Sequence, residues 1–402
     1  MKGGGCLGVK TACEVQLRNH DKRIMEVEKR MKRRKHLKWI GIMQLVLMMV
    51  FVTACGSNNG TGNNESNSSN TEDQSLASGG KEDTTAGSGV ELKSFTLVGV
   101  RDAQISSQQI IADKLGYFKE EGLDVTNQLI ESGPDIGPMI AGGSAPISIQ
   151  TNFMDIILTS NNVGVKIVAP LAQIAGTQAV VGGKNLNLKS AKDLEGKTIG
   201  VPSGADVVIA INNMGKELGV DVSKIKYVNL SPSDAVTALE KGDIDAMAAW
   251  EPFITKAIQG GGKFLFSGTK ANLPEKQGDV NWMSVHTTIQ VTDDFLKKNP
   301  NTIKAVLRAL KKATDYINEN REEAIKILAP ELHLTEEELK EIMSRNVYSM
   351  EVNENYVKDS NGEAVGNYLK SVGNIKELVD PKTYHDLSLL KEIAPELVKS
   401  EF

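Results

Sequence analysis

Beyond residue 55 this chain of 402 residues contains no cysteine; its three cysteines are Cys6, Cys13 and Cys55. Disulfides, thiolate catalysis and cysteine-ligated zinc are thereby excluded from the whole following stretch. Histidine is nearly as scarce there. Only His286, His333 and His385 remain, far apart and without the His-x-x-x-His spacing of a zinc helix. No Gly-x-x-x-x-Gly-Lys-Ser/Thr phosphate loop and no Gly-x-Ser-x-Gly elbow occurs, so ATP hydrolysis and serine acyl transfer by those devices are excluded as well. Arginine is thin: Arg101 is the only one between residues 56 and 307. Basic charge is in deficit overall. Residues 55–402 hold 34 of the 46 Lys and Arg but 47 of the 51 Asp and Glu, a net charge near −13. Such a surface argues against nucleic acid, which needs basic patches to displace counterions. It suits a soluble monomer beside an anionic membrane.

What is present begins with a leader. Lys32, Arg33, Arg34, Lys35 and Lys38 precede an apolar run from Trp39 to Ala54, and Val52-Thr53-Ala54-Cys55-Gly56 closes it. Basic, apolar and small residues in that order define a secretory signal. The run is about 16 residues, short of the ~20 that span a bilayer comfortably. Small residues ending in Cys-Gly resemble a bacterial lipobox, which predicts that Cys55 is lipidated and becomes the mature N-terminus. Residues 1–30 are polar and mixed in charge, unlike a leader, so the start is read as over-long and Met31 as the better one. Residues 1–54 are thus signal, and residues 55–91 a lipidated Cys with a disordered tether. The tether is Asn, Ser, Gly, Thr and acids, too polar to bury a core. At roughly 5–6 Å × √n for about 35 residues, its mean reach is about 30–35 Å. The body is expected on the extracytoplasmic face of the cell membrane, held there by lipid.

The remaining 310 or so residues exceed one comfortable core and suggest two lobes. Short apolar runs alternate with helical stretches, as in an α/β fold. Strands are predicted at Phe95–Val100, Leu123–Ile130, Pro146–Gln150, Val165–Ala169, Lys197–Val201, Ile225–Leu230 and Ile244–Ala248. Helices are predicted at Gln108–Lys119, Pro134–Ala141, from Asn152, at Ala205–Leu218 and at Pro232–Glu240. Ser231 caps the last of these. Beyond Thr292 helix dominates. Thr335-x-x-Glu338 reads as a capping box, and Asp380-Pro381 as a further helix start.

Several blocks then carry a family resemblance. Gly116–Val125 (GYFKEEGLDV), Asp193–Val201 (DLEGKTIGV), Asp234-Ala235 with Ala238-Leu239 and Gly242–Ala246 leading to Trp250-Glu251-Pro252, and Asn299-Pro300 stand in one order. Together they resemble the solute-binding proteins of ABC importers in the nitrate/sulfonate/taurine group, which includes thiamine-pyrimidine binders. The resemblance spans about residues 95–350. It implies a two-lobed periplasmic-binding-protein fold of type II, a Venus flytrap of two α/β sheets with two crossover segments and a helical C-terminal part. Lobe 1 would comprise residues 92–182 and 285–402 and lobe 2 residues 183–284. The crossovers would lie near Val180–Gly182 and Val285–Val291. The implied role is to capture one small polar ligand of the sulfonate, taurine or nitrate class between the lobes. The protein would hand it to a permease and its ATPase, with no cofactor, no metal and no catalysis. The alternatives are a thiamine-precursor pyrimidine or other nitrogen heterocycle as ligand, a sensor or adhesin, and a pyrimidine-synthase-like enzyme. The last would need a cysteine-rich iron-binding motif, which this body lacks.

Ligands of open α/β sheets sit beyond the carboxyl ends of strands, where helix N-termini offer unpaired N–H groups. Candidate contacts therefore fall at strand-to-helix junctions: Arg101, Asp102 and Gln104; Gln150, Thr151 and Asn152; Ser203, Gly204 and Ala205. Ser132-Gly133-Pro134 is a weaker fourth. Trp250 is expected to wall the cleft and Glu251 to bind a ligand amine, Arg101 or its own helix. Arg101 is the natural fork for a sulfonate. Asp102, Asp206 and Glu251 hint instead at an ammonium or a ring N–H on the ligand. His286, on the expected return crossover, is a further candidate for the cleft lining.

Overall fold

The computed structural model describes residues 89–360, 363–371 and 373–402. The expected leader, the lipidation site Cys55 and the tether up to residue 88 lie outside the described residues. No helix among the described residues is long and apolar enough to cross a membrane.

Thirteen strands are described: β1 (Ser94–Val100), β2 (Asp124–Ile130), β3 (Ile147–Thr151), β4 (Val165–Gln173), β5 (Gln178–Gly182), β6 (Thr198–Val201), β7 (Lys226–Asn229), β8 (Ala246–Trp250), β9 (Lys263–Ser267), β10 (Lys270–Leu273), β11 (Lys276–Asp279), β12 (His286–Thr292) and β13 (Val347–Tyr348). They form two sheets, ordered β13-β4-β12-β3-β1-β2 and β11-β10-β9-β5-β8-β6-β7. In the first sheet β1 runs parallel to β2 and β3, and β12 lies antiparallel between β3 and β4. In the second, β6 is parallel to β7 and β8, while β5 is antiparallel to β8 and β9. This is the two-lobed α/β architecture, with sheets curled among many helices. Strands β3, β5 and β8 are buried along their whole length. Both of their faces are covered, so even the polar residues Ser148, Gln150, Thr151 and Gln178 are buried. Edge strand β7 is exposed throughout.

The chain changes sheet in short segments. It leaves the first sheet after Gln173 and enters the second at Gln178; it leaves the second after Asp279 and re-enters the first at His286. Val180–Gly182, read as crossover, are ladder residues of β5, and Val285–Val291 falls mostly within β12. Each change of sheet thus lies a few residues earlier than that reading. A β-branched apolar run looks alike in a crossover and in a strand, and only the pairing partner separates them.

Two other boundaries moved for local reasons. The helix expected over Gln108–Lys119 is two, Ser107–Lys114 and Tyr117–Glu120, parted where Gly116 takes a φ of 78°. That left-handed turn stops a helix at low cost only for glycine. The strand expected at Ile244–Ala248 is Ala246–Trp250, because antiparallel pairing with β5 sets Gly182 opposite Ala246 and Gln178 opposite Trp250. The capping box forms: Thr335 Oγ1 accepts from Glu338 N at 3.2 Å, and Glu338 Oε2 accepts from Thr335 N at 3.0 Å. Asp380 caps only one turn of 3₁₀ helix, Pro381–Thr383.

The return to the first sheet ends in a long helix, Pro300–Glu319, that packs on Ser107–Lys114 and Tyr117–Glu120. Its buried residues Ile303, Val306, Leu307, Leu310, Ala313 and Ile317 recur at three- and four-residue steps. They form one apolar stripe facing the core. At its start Glu91 accepts from Asn301 N (3.2 Å) and Thr302 N (2.9 Å). A carboxylate there satisfies unpaired first-turn N–H groups and faces the positive end of the helix dipole.

Candidate functional site

A cavity with about 360 Å³ of empty space, mouth included, lies between the strand ends of the two sheets. From the first sheet it takes Val100, Asp102 and Ile105 after β1, Gly133 and Pro134 after β2, and Gln150, Thr151 and Met154 around the end of β3. From the second it takes Gln178 at the start of β5, Gly204, Ala205 and Asp206 after β6, and Trp250 at the end of β8. The parallel strands point their carboxyl ends at it, the place where open α/β sheets bind ligands.

The loop after β1 turns on Asp102. Its Oδ1 accepts from Gln104 N at 3.0 Å and Ile105 N at 2.7 Å, which holds the buried carboxyl facing the cavity. Burial pushes its pKa up to about 8, against those two N–H bonds, and the charge of Asp206 adds to the rise. Asp206 is raised to about 6, again by burial, although the Thr151 hydroxyl and the N–H groups of residues 206 and 207 favour its charged form. That Thr151 contact joins the two sheets across the cavity. Gln150 ties the loops together: its Nε2 donates to the Gly133 carbonyl, and its Oε1 accepts from Thr151 N at 2.7 Å. Gly204, at φ 82°, lets the loop after β6 pass Pro134 of the opposite lobe, and a Cβ there would stand 3.7 Å from Pro134 Cβ.

The two carboxyls are the only ionisable side chains lining the cavity. Three buried polar atoms of lining residues have no hydrogen-bond partner: Trp250 Nε1, Gln178 Oε1 and Asp206 Oδ2. Leaving such a group buried and unpaired costs about 1–3 kcal/mol. A molecule that pairs all three recovers that cost on binding.

Of the residues singled out from sequence, Asp102, Gly133, Pro134, Gln150, Thr151, Gly204, Ala205, Asp206 and Trp250 come together here. The others do not. Arg101 is exposed, and its guanidinium donates to the Glu331 carbonyl at 3.0 Å, so it is no fork for an anion in this cavity. Gln104 is fully buried beside the loop with both amide atoms unpartnered, outside the lining. Asn152 serves the fold, donating to Ser360 Oγ at 3.3 Å and accepting from His286 N at 3.4 Å. Ser203 is exposed on the outer side of its loop, its N–H on Asn229 Oδ1 at 2.8 Å. Glu251 lies in the turn after β8, outside the cavity lining. Its buried carboxylate pairs with Arg345 at 2.7 Å and caps Thr255 N at 2.9 Å. His286 is likewise off the cavity, 3.4 Å from Asp359. Gln178 and Met154 escaped the sequence reading. Gln178 was hidden by the misplaced crossover, and Met154 sits one turn into a helix, where an apolar side chain looks like core. Asp206, singled out for its charge, directly follows the Ser203–Ala205 junction.

Two α/β sheets meeting at a cavity between their strand ends have the fold of the periplasmic binding proteins. The chain belongs to the NMT1/THI5 like family, whose profile matches residues 106–324. Among named relatives, the taurine-binding periplasmic protein of Escherichia coli (strain K12) is 25% identical over 193 residues, 48% of this chain and 57% of that protein. The 4-amino-5-hydroxymethyl-2-methylpyrimidine phosphate synthase of Saccharomyces cerevisiae is 26% identical over 216 residues, 52% of this chain and 62% of that one. In both cases the match spans less than two thirds of the relative. Among solved structures, the alkanesulfonate-binding protein SsuA from Xanthomonas axonopodis pv. citri, bound to MOPS, superposes with a TM-score of 0.61 at 14% identity, over 73% of this chain and 99% of that one.

Proposed function

We propose that this protein is an extracytoplasmic solute-binding lipoprotein, anchored through Cys55, that captures one small polar molecule between its lobes. It delivers that molecule to the permease and ATPase of an ABC importer and catalyses no reaction. The observation that carries the ligand class is the polar inventory of the cavity. Asp206 Oδ2 and Gln178 Oε1 call for donors on the ligand, and Trp250 Nε1 calls for an acceptor. Nitrate and a simple alkanesulfonate offer acceptors only, so they leave Asp206 Oδ2 and Gln178 Oε1 unpaired, and no Lys, Arg or His lines the cavity to hold their charge. Taurine's ammonium answers the carboxyls, yet its sulfonate finds no cation in the lining. A planar amine-bearing nitrogen heterocycle answers all three atoms along its edge: its amino group donates and its ring nitrogen accepts. An aminopyrimidine is therefore the ligand class that the geometry supports best, with taurine second.

Calorimetry with 4-amino-5-hydroxymethyl-2-methylpyrimidine, taurine, an alkanesulfonate and nitrate, side by side, tests this. Saturation at about 100 times Kd adds roughly 2.7 kcal/mol of stability, so a parallel melting assay shifts by several degrees for a true ligand. Tightest binding by nitrate or the plain sulfonate overturns the ligand class. Tightest binding by a peptide, a long sugar or a metal ion, run as controls, overturns the small-polar-ligand reading. Mass spectrometry of native protein tests the anchor: a lipidated Cys55 at the N-terminus is expected, and an unmodified chain beginning earlier rules it out.

A further inference from the structure

Glu131 stands one residue past the end of β2, exposed and outside the cavity lining. Its Oε1 reaches across to the second sheet's lobe, 102 positions away in sequence. There it accepts from Ser233 Oγ at 2.5 Å and from Ser233 N at 3.3 Å. Ser233 is in the first turn of the helix Pro232–Lys241, capped by Ser231. First-turn N–H groups have no intrahelical partner and sit at the positive end of the helix dipole, so a carboxylate from outside is bound favourably. Two and three residues beyond Glu131, Gly133 and Pro134 form the cavity wall that meets Gly204. The contact therefore spans the mouth of the cleft.

A second interlobe pair, Glu251 with Arg345, lies at the other end of the lever. Arg345 abuts the crossover: its carbonyl would stand 3.2 Å from a Cβ on Gly176.

We propose that Glu131 and Ser233 form a closure latch. It is a positioning contact that populates the closed arrangement even without ligand and slows ligand release without touching the ligand. The inference rests on the solute-binding reading only for its second half.

The test compares full-length wild type with Glu131→Ala, Glu131→Asp and Ser233→Ala, ligand-free, by hydrogen exchange and small-angle scattering. An exposed carboxylate at a helix N-terminus supports about a two- to fivefold effect. Exchange at residues 233–236 should rise by that factor in Glu131→Ala and the radius of gyration should increase, with partial rescue in Glu131→Asp and an unchanged melting temperature. Unchanged exchange and radius in Glu131→Ala overturn the latch whether or not any solute binds. With 4-amino-5-hydroxymethyl-2-methylpyrimidine or taurine as probe, the dissociation rate should rise two- to fivefold with little change in association. An unchanged dissociation rate overturns the second half. If neither probe binds, the ligand class fails while the ligand-free comparison still decides the latch.

Discussion

Gln178 and Trp250 are register partners, the first residue of β5 facing the last residue of β8 across an antiparallel ladder. The pairing brings an amide and an indole to one wall of the cavity. Both carry a buried polar atom without a partner, Gln178 Oε1 and Trp250 Nε1. An acceptor and a donor side by side match the edge of an amino-substituted ring.

Replacing Trp250 should separate its two contributions. Trp250→Ala is expected to weaken ligand binding by roughly 1–3 kcal/mol with a small loss of fold, as for a contact residue. Trp250→Phe should keep an apolar wall and lose the Nε1–H bond, at about 1 kcal/mol. Calorimetry gives the affinities and circular dichroism the fold. Gross unfolding of Trp250→Ala would assign the residue to the core.

The cavity carboxyls should make stability fall as pH rises. Asp102 is raised to about 8 and Asp206 to about 6, in both cases first by burial. An unfolded Asp titrates near 3.9. Between that value and the folded ones the native state binds more protons than the unfolded state, so the unfolding free energy declines with pH. Ligand-free protein should melt at a higher temperature at pH 5 than at pH 8. Asp102→Asn and Asp206→Asn should each flatten the profile, and a profile equally steep in both variants would contradict the assignment.

Asp155 predicts a second, independent pH effect outside the cavity. It is fully buried in the first turn of the helix Asn152–Ser160, and neither carboxyl oxygen has a partner. Gln290 Oε1 is also unpartnered, while the Gln290 side chain lies within hydrogen-bonding reach of Asp155. Burial holds the Asp155 pKa well above the ordinary value, and a protonated carboxyl donating to Gln290 Oε1 pairs both groups. Asp155→Asn supplies a permanent donor of the same shape. It should cost less than about 1 kcal/mol at pH 5 and stabilise at pH 8, read by urea titration at both values. Strong destabilisation at both would show that the carboxyl is charged.

The hinge pair should be costly to break from one side. Glu251 is about 1% exposed, and Arg345 is its only charged partner among the described residues. Arg345→Met leaves a buried carboxylate unpaired and should destabilise by about 2–4 kcal/mol, toward the lower end for a buried pair because Arg345 is partly in water. The double variant Glu251→Gln with Arg345→Met should lose less than the sum of the single changes, by denaturant unfolding. Strict additivity would mean that the pair is not coupled.

Much of this molecule is written locally. The alternation of apolar runs and helical stretches, the Ser231 and Thr335 caps, the stop at Gly219 and the stripe of Pro300–Glu319 follow from side-chain periodicity and from which residues tolerate which backbone angles. The strand-to-helix junctions are local as well, and nine of the residues singled out at or beside them and at Trp250 line one cavity. Acidic charge and missing cysteine are plain counts, and they narrowed the chemistry before any fold was known.

Tertiary structure decided which side of each junction faces the cavity. Arg101 and Asp102 are neighbours, yet one bonds to Glu331 on the outside and the other faces the ligand space. Trp250 and Glu251 part in the same way. Asp102 is turned inward by the N–H groups of residues 104 and 105, and Glu251 is held by Arg345 and Thr255 N, so tertiary and turn contacts decide each direction. Partners far away in sequence set the rest: β5 against β8 within one sheet, and Thr151 against Asp206 between the two. No local pattern of apolar and polar residues encodes them.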